Sequence, residues 1–113
     1  MGMMSKRKGK IGEREVAELL RTYGYEARRG QQYAGGGDSP DVVGLPGFHL
    51  EVKRTENFQL YSALEQAIAD RGHGEVPAVF HRRNGRQWVV VLDASDFLDI
   101  IKRSHIAGTK HGK

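Results

Sequence analysis

Nine residues separate Asp41 from the triplet Glu51-Val52-Lys53, and both acids sit in apolar runs. Asp41 opens Asp41-Val42-Val43-Gly44-Leu45, and the triplet closes Phe48-His49-Leu50-Glu51-Val52-Lys53. Pro46-Gly47 between them is a turn signal, so the stretch reads as a β-hairpin. A hairpin symmetric about Pro46 sets Asp41 opposite Glu51 and Ser39 opposite Lys53. Directly opposed Cβ atoms lie about 4.5–5.5 Å apart, where like charges destabilise a sheet. A hard divalent cation between the carboxylates removes that penalty. Alternation along the strand adds Lys53 to the face of Glu51 and turns Leu50 and Val52 the other way. Two carboxylates and an ammonium on one spot can hold a cation, lower the pKa of its bound water and offset charge on an oxyanion. The carbonyl of Val52 is a further candidate oxygen ligand.

Those residues need elements to hold them. Met1–Lys8 reads as a flexible basic arm. The spacing of Ile11, Val16, Leu19, Leu20 and Tyr23 predicts a helix from about Gly9 to Tyr23, with Gly24 as its stop. Tyr25–Arg29 reads as a short strand, and Gly30–Pro40 as a glycine-rich loop next to Asp41. After the hairpin, Leu60–Arg71 is a second helix with Leu60, Leu64, Ala67 and Ile68 on one face. Strands Pro77–Arg82 and Arg86–Leu92 flank Asn84-Gly85, a type I′ hairpin signal. Asp93 or Ser95 caps a last helix whose core face is Phe97, Leu98, Ile100 and Ile101. The order α-β-β-β-α-β-β-α predicts an α/β fold, a mixed β-sheet flanked by helices.

The chain of 113 residues is long enough for one modest core. An apolar fraction of 38% and a charged fraction of 28% suit a soluble globular domain. No run approaches the roughly 18 apolar residues of a membrane span, and Met1–Lys10 lacks a signal peptide's apolar region. There is no cysteine, which excludes disulfides and thiolate metal sites and fits a cytoplasmic setting. The net charge of +4 is unevenly spread. Residues 1–30 carry eight Lys/Arg against four Glu, residues 102–113 four against none, and residues 31–101 six against ten Asp/Glu. Basic ends about an acidic centre suit a polyanion held at the periphery with a cation in the middle. Solvated tails would show the same pattern.

Two separated motifs resemble a known family. Lys8-Gly9-x-x-x-Glu13-Arg14-Glu15, then Gly24-Tyr25 and Arg29, resembles the start of archaeal-type Holliday-junction resolvases of the PD-(D/E)xK nuclease superfamily. Pro40-Asp41 is similar to the "PD" and Glu51-Val52-Lys53 to the "ExK". The resemblance runs from about Lys8 to Lys53 and is architectural beyond that. It implies a restriction-endonuclease-like fold over 9–103, with 104–113 as a flexible tail, and hydrolysis of DNA phosphodiesters with Mg2+, for which Mn2+ substitutes. It implies Glu13, Asp41 and Glu51 as metal-site acids, Lys53 as the catalytic lysine, and Arg14 and Arg29 as contacts to DNA phosphates and the active site. Ser39 matches a loop serine near the scissile phosphate, although Gln31–Asp38 look inserted. Members act as homodimers on four-way junctions, and Tyr61, Phe97 or Ile101 could form such an interface or belong to the core.

Lys6, Arg7, Lys8, Lys10 and Arg54 suit phosphate contacts by type. His49 shares the face of Glu51, but a partly buried or solvated histidine is the ordinary expectation. Gln66 either reaches the site from the second helix or faces solvent. Trp88 reads as core. Gly35–Gly37 lacks a P-loop's Lys-Ser/Thr, which excludes a nucleotide cofactor. The residues therefore predict a metal-dependent, structure-specific DNA endonuclease. Its rivals are a nuclease for other branched or linear DNA and a non-catalytic nucleic-acid-binding module.

Overall fold

The computed structural model describes residues 2–31 and 39–104, with side chains from Lys8 onward. Helix α1 (Gly2–Thr22) is followed by strands β1 (Arg28–Arg29), β2 (Val42–Val43) and β3 (Phe48–Arg54). Helix α2 (Leu60–Asp70), strands β4 (Val76–Arg82) and β5 (Val89–Val91) and helix α3 (Ala94–Arg103) complete the chain. The order of elements is the one the sequence predicts. One sheet runs β1-β2-β3-β4-β5, antiparallel except for β3 beside β4. That parallel pair requires a crossover, and α2 supplies it. Among the described residues, no helix is long and apolar enough to cross a membrane.

The hairpin forms in the predicted register, with Val42 opposite Leu50. Asp41 directly precedes Val42 and Glu51 directly follows Leu50, so the hairpin brings both acids to the end of the ladder. Gly44 makes the turn possible, with a φ of 110° that an L side chain rarely adopts. A Cβ there would also collide with the Glu26 carbonyl and Ala27.

Helix α1 starts at Gly2 rather than Gly9, and its buried face is not the stripe expected from periodicity. Val16, Ala17 and Leu20 are buried, while Ile11 is 44% and Tyr23 75% exposed. Gly12 is the reason. A Cβ at this position would stand 2.8 Å from Arg54 Cβ and 3.3 Å from Val52 Cγ1. Only glycine lets α1 lie this close to β3, and the line 12-16-20 then faces the sheet. Ile11 and Leu19 turn instead to a groove beside Trp88. Gly12→Val is expected to lower stability by about 1–3 kcal/mol, because α1 must lift off β3. Urea unfolding checks this, and an unchanged midpoint would remove the close contact from the account.

Other boundaries move for local reasons. The strand expected at Tyr25–Arg29 shrinks to Arg28–Arg29, and that at Arg86–Leu92 to Val89–Val91. A type I′ turn needs positive φ at both central residues, yet only Gly85 has it. Asn84 is held by tertiary bonds instead: its Oδ1 accepts from Arg54 Nη2 at 2.6 Å, and its N–H donates to Glu56 at 2.8 Å. Helix α2 packs Ala63, Leu64 and Ala67 around Val79. Trp88, half-buried, packs on the main core and donates its indole N–H to Glu15 at 3.0 Å. Helix α3 contradicts its predicted core role, since none of its residues is buried.

Candidate active site

Asp41 is stitched into the sheet on both sides. Its N–H donates to Leu50 O at 2.9 Å, and its carbonyl accepts from Gly30 N–H at 2.8 Å. Its side chain then takes the place of the next strand residue, with Oδ2 accepting the Val52 N–H at 2.8 Å. The N–H and C=O of one strand residue project to the same edge, so the Val52 carbonyl is directed to this edge too.

Glu51 follows on β3 and is 5% exposed. Burial, the Asp41 charge and a hydrogen bond to the Asp41 carboxyl push its carboxyl up to about 8, against the pull of Lys53. The negative charge of Asp41 opposes a second one on Glu51. Asp70, at the end of α2, pushes Glu51 in the same direction. Glu13 is also raised, mainly by burial, with the Asp41 charge adding and Arg29 opposing. Its Oε1 accepts from Arg29 Nε at 2.9 Å. Asp41 thus acts on both Glu51 and Glu13.

A buried carboxyl raised beside a second carboxylate, as Glu51 is beside Asp41, suits a cation between them. Among the described residues, no three His, Asp or Glu side chains stand ready to hold one by themselves. Asp41 and Glu51 form a two-carboxylate set, with Glu13 drawn to Arg29 rather than to that pair. Magnesium is commonly held in this way, through one or two carboxylates with water and substrate phosphate filling its octahedron. The donors present fit such an ion.

The basic residues divide. Lys53 is half-buried and lines a groove of about 430 Å³ with Lys8, Gly9, Arg54 and the 55–57 turn. Arg54 is tied to Asn84 at 2.6 Å and to Glu56 at 3.3 Å. Lys10 is exposed and acts electrostatically on Glu13. Arg14 is exposed on another flank of α1, beside Ile11, Glu18 and Trp88. Glu15, one position on, accepts from Arg82 at 2.6 Å and from Trp88, so the fold separates it from Glu13. Ser39 is half-buried in the bend before Pro40, beyond the paired ladder. The side chains of Lys6 and Arg7 lie outside the described residues. Gln66 is exposed.

Sequence reasoning passed over Asp70 and undervalued His49. His49 is 1% exposed, not partly solvated, and its Nε2 lies 2.6 Å from Glu51 Oε2. Its place on the face of Glu51 was visible in the alternation. Its burial was not, because that depends on β4 pairing alongside β3.

A family model described as "Phage putative PDDEXK endonuclease" matches residues 4–111. No curated protein and no solved structure matches the chain.

Proposed function

The chain belongs to this family of phage PDDEXK endonucleases, and from that membership we propose a magnesium-dependent DNA endonuclease, with four-way junctions as its substrate on the resemblance of its two motifs to junction resolvases. The superfamily is the one its motifs predict, while the family found is a phage family rather than the archaeal-type resolvases. The observation that carries the proposal is the meeting of Asp41 and Glu51 at the end of the β2–β3 ladder, with the Lys53 charge acting on Glu51.

Asp41 and Glu51 would hold a magnesium ion, with the Val52 carbonyl as a further oxygen donor and Glu13 completing the site once released from Arg29. Such an ion would supply polarisation of the phosphate and a lowered pKa for an attacking water. Lys53 orients the water or offsets charge on the phosphate in the transition state. Ser39 stands near the scissile phosphate. Lys6, Arg7, Lys8, Lys10, Arg14, Arg29 and Arg54 contact the backbone, which reads shape and charge rather than sequence. Lys53→Ala is expected to lower turnover about 10²–10³-fold, with junction affinity changed only a few-fold. Equal losses in both would reduce Lys53 to a phosphate contact.

A homodimer would place two sites on two strands of a junction. Its support is an uncovered apolar surface: Phe97 is 50% and Leu98 61% exposed, and Val89 and Val90 on the edge strand are exposed beside them in sequence. A second copy fits, since a two-fold axis sets identical patches against each other. Leu98→Glu is expected to shift a sedimenting dimer to a folded monomer, and a wild-type monomer would contradict the dimer. The phage family and the lack of cysteine support action in the host cytoplasm.

The substrate test compares a labelled immobile junction with linear duplex of the same sequence, each with Mg2+ or EDTA. Paired, magnesium-dependent nicks in the junction alone are expected. Equal cutting of duplex would leave a nuclease of broader substrate range, and binding without cutting would favour the non-catalytic module.

A further inference from the structure

His49 and Glu51 are the only polar residues buried among the described residues, and they touch. On β3 they are two residues apart, so their side chains leave the same face of the sheet. Pro77 of β4 pairs with His49 in the parallel ladder and is itself fully buried. From the far side, Glu75 brings Oε1 to 3.8 Å from His49 Nδ1. Glu75 is itself fixed, because Oε1 accepts the Gly72 N–H at 2.7 Å and its own N–H donates to Gly72 O at 3.1 Å. A Cβ on Gly72 would stand 2.9 Å from that Oε1, so the turn is fitted to the carboxylate. The contacts form a line from the turn through Glu75 and His49 to Glu51.

We infer that His49 is a positioning residue for the cation site, holding Oε2 of Glu51 so that the other oxygen is presented beside Asp41. This rests on the reading of Glu51 as a cation ligand. A glutamate side chain has three rotatable bonds, and a hard ion with strict octahedral geometry binds weakly to a carboxylate that samples several rotamers. A bond at 2.6 Å to a ring that cannot move, because it is buried on a central strand, removes that freedom. Ligating carboxylates are commonly hydrogen-bonded by outer partners, and loss of such a partner weakens metal binding about 10–100-fold. A merely structural histidine would affect folding and leave the affinity of the folded protein unchanged.

The experiment is calorimetric titration of the full chain with Mn2+, without DNA, on wild type, Glu51→Gln, His49→Ala, His49→Gln and His49→Asn. Circular dichroism and thermal unfolding run alongside. His49→Ala is expected to bind Mn2+ about 10–100-fold more weakly while still unfolding cooperatively. His49→Gln, whose amide can donate from near the position of Nε2, is expected to recover most of the affinity. His49→Asn reaches only as far as Nδ1 and is expected to recover little. Excess Mn2+ should also restore cleavage by His49→Ala, as lost affinity requires.

A folded His49→Ala that binds like wild type overturns the inference. If His49→Ala fails to fold, the Gln and Asn variants decide, and equal affinity in those two overturns it. Wild type and Glu51→Gln binding alike would mean that Glu51 is not a ligand. That result removes the premise and the inference together, and it is distinguishable because it does not involve His49.

Discussion

Glu51→Gln is expected to abolish DNA cleavage, by roughly three powers of ten or more, and to leave junction binding intact or tighter. The size follows from the several kcal/mol that a bound cation contributes to a phosphoryl transition state, at about 1.4 kcal/mol per factor of ten. Glutamine keeps the shape of Glu51 and a polar contact with His49, so folding is preserved. It removes the negative charge that the cation needs and that the DNA phosphate must approach. Asp41→Ala should have the same effect on cleavage and a further cost in stability. It strips the acceptor from the Val52 N–H, now bonded at 2.8 Å, and an orphaned buried donor costs about 1–3 kcal/mol. Cleavage assays beside gel-shift titrations check both variants. Wild-type cutting by Glu51→Gln would remove Glu51 from the chemistry, and a parallel loss of binding would make it a structural residue.

The metal-free protein should lose stability as pH rises from about 5 to 8. Glu51 in the unfolded chain titrates near the ordinary value of 4.5, while burial and Asp41 push it up to about 8 in the fold. Between those values the folded state keeps a proton that the unfolded chain has released. Stability falls with pH wherever the native state binds more protons. Glu13, raised by burial, contributes with the same sign. Below the unfolded value both states are protonated and the slope vanishes. Mg2+ or Mn2+ binds the deprotonated pair, so it should restore stability most strongly at the upper end of the window and release a proton as it binds. Glu51→Gln removes the titrating group, and its melting temperature in EDTA should be higher than wild type at pH 8 and flatter across the window. Thermal melts in EDTA from pH 5 to 8.5 check this. A wild-type profile that rises with pH would contradict the buried acid pair.

How far the sequence could be read depended on whether the deciding contact was local. Pro46-Gly47 set the hairpin register, and with it the juxtaposition of Asp41 and Glu51, because both strands lie within about ten residues of the turn. The α-β-β-β-α-β-β-α order followed from turn residues and apolar periodicity. The face of α1 did not, because periodicity counts apolar residues and the helix docks through Gly12, which has no side chain to count. Asn84-Gly85 promised a type I′ turn, but Arg54 and Glu56, about thirty residues upstream, claimed the asparagine. Arg14 and Glu13 lie on different flanks of α1 because successive helical residues are about 100° apart, and the docking of α1 decides which flank meets Arg29 and which Trp88. The amphipathic pattern of α3 was legible, but not that none of its residues is buried among the described residues. The burial of His49 beside β4 and the approach of Asp70 from α2 come from packing that no spacing along the chain encodes.

The central claim is that Asp41, Glu51 and Lys53 hydrolyse DNA with a divalent ion. Its most direct test is the rate of phosphodiester cleavage by the purified wild-type chain on a labelled four-way junction, in Mg2+ and in EDTA. Asp41→Asn runs beside it at the same protein concentration. The account predicts cutting that requires Mg2+ and the Asp41 carboxylate together. Cutting that persists in EDTA, or in Asp41→Asn at the wild-type rate, would contradict it.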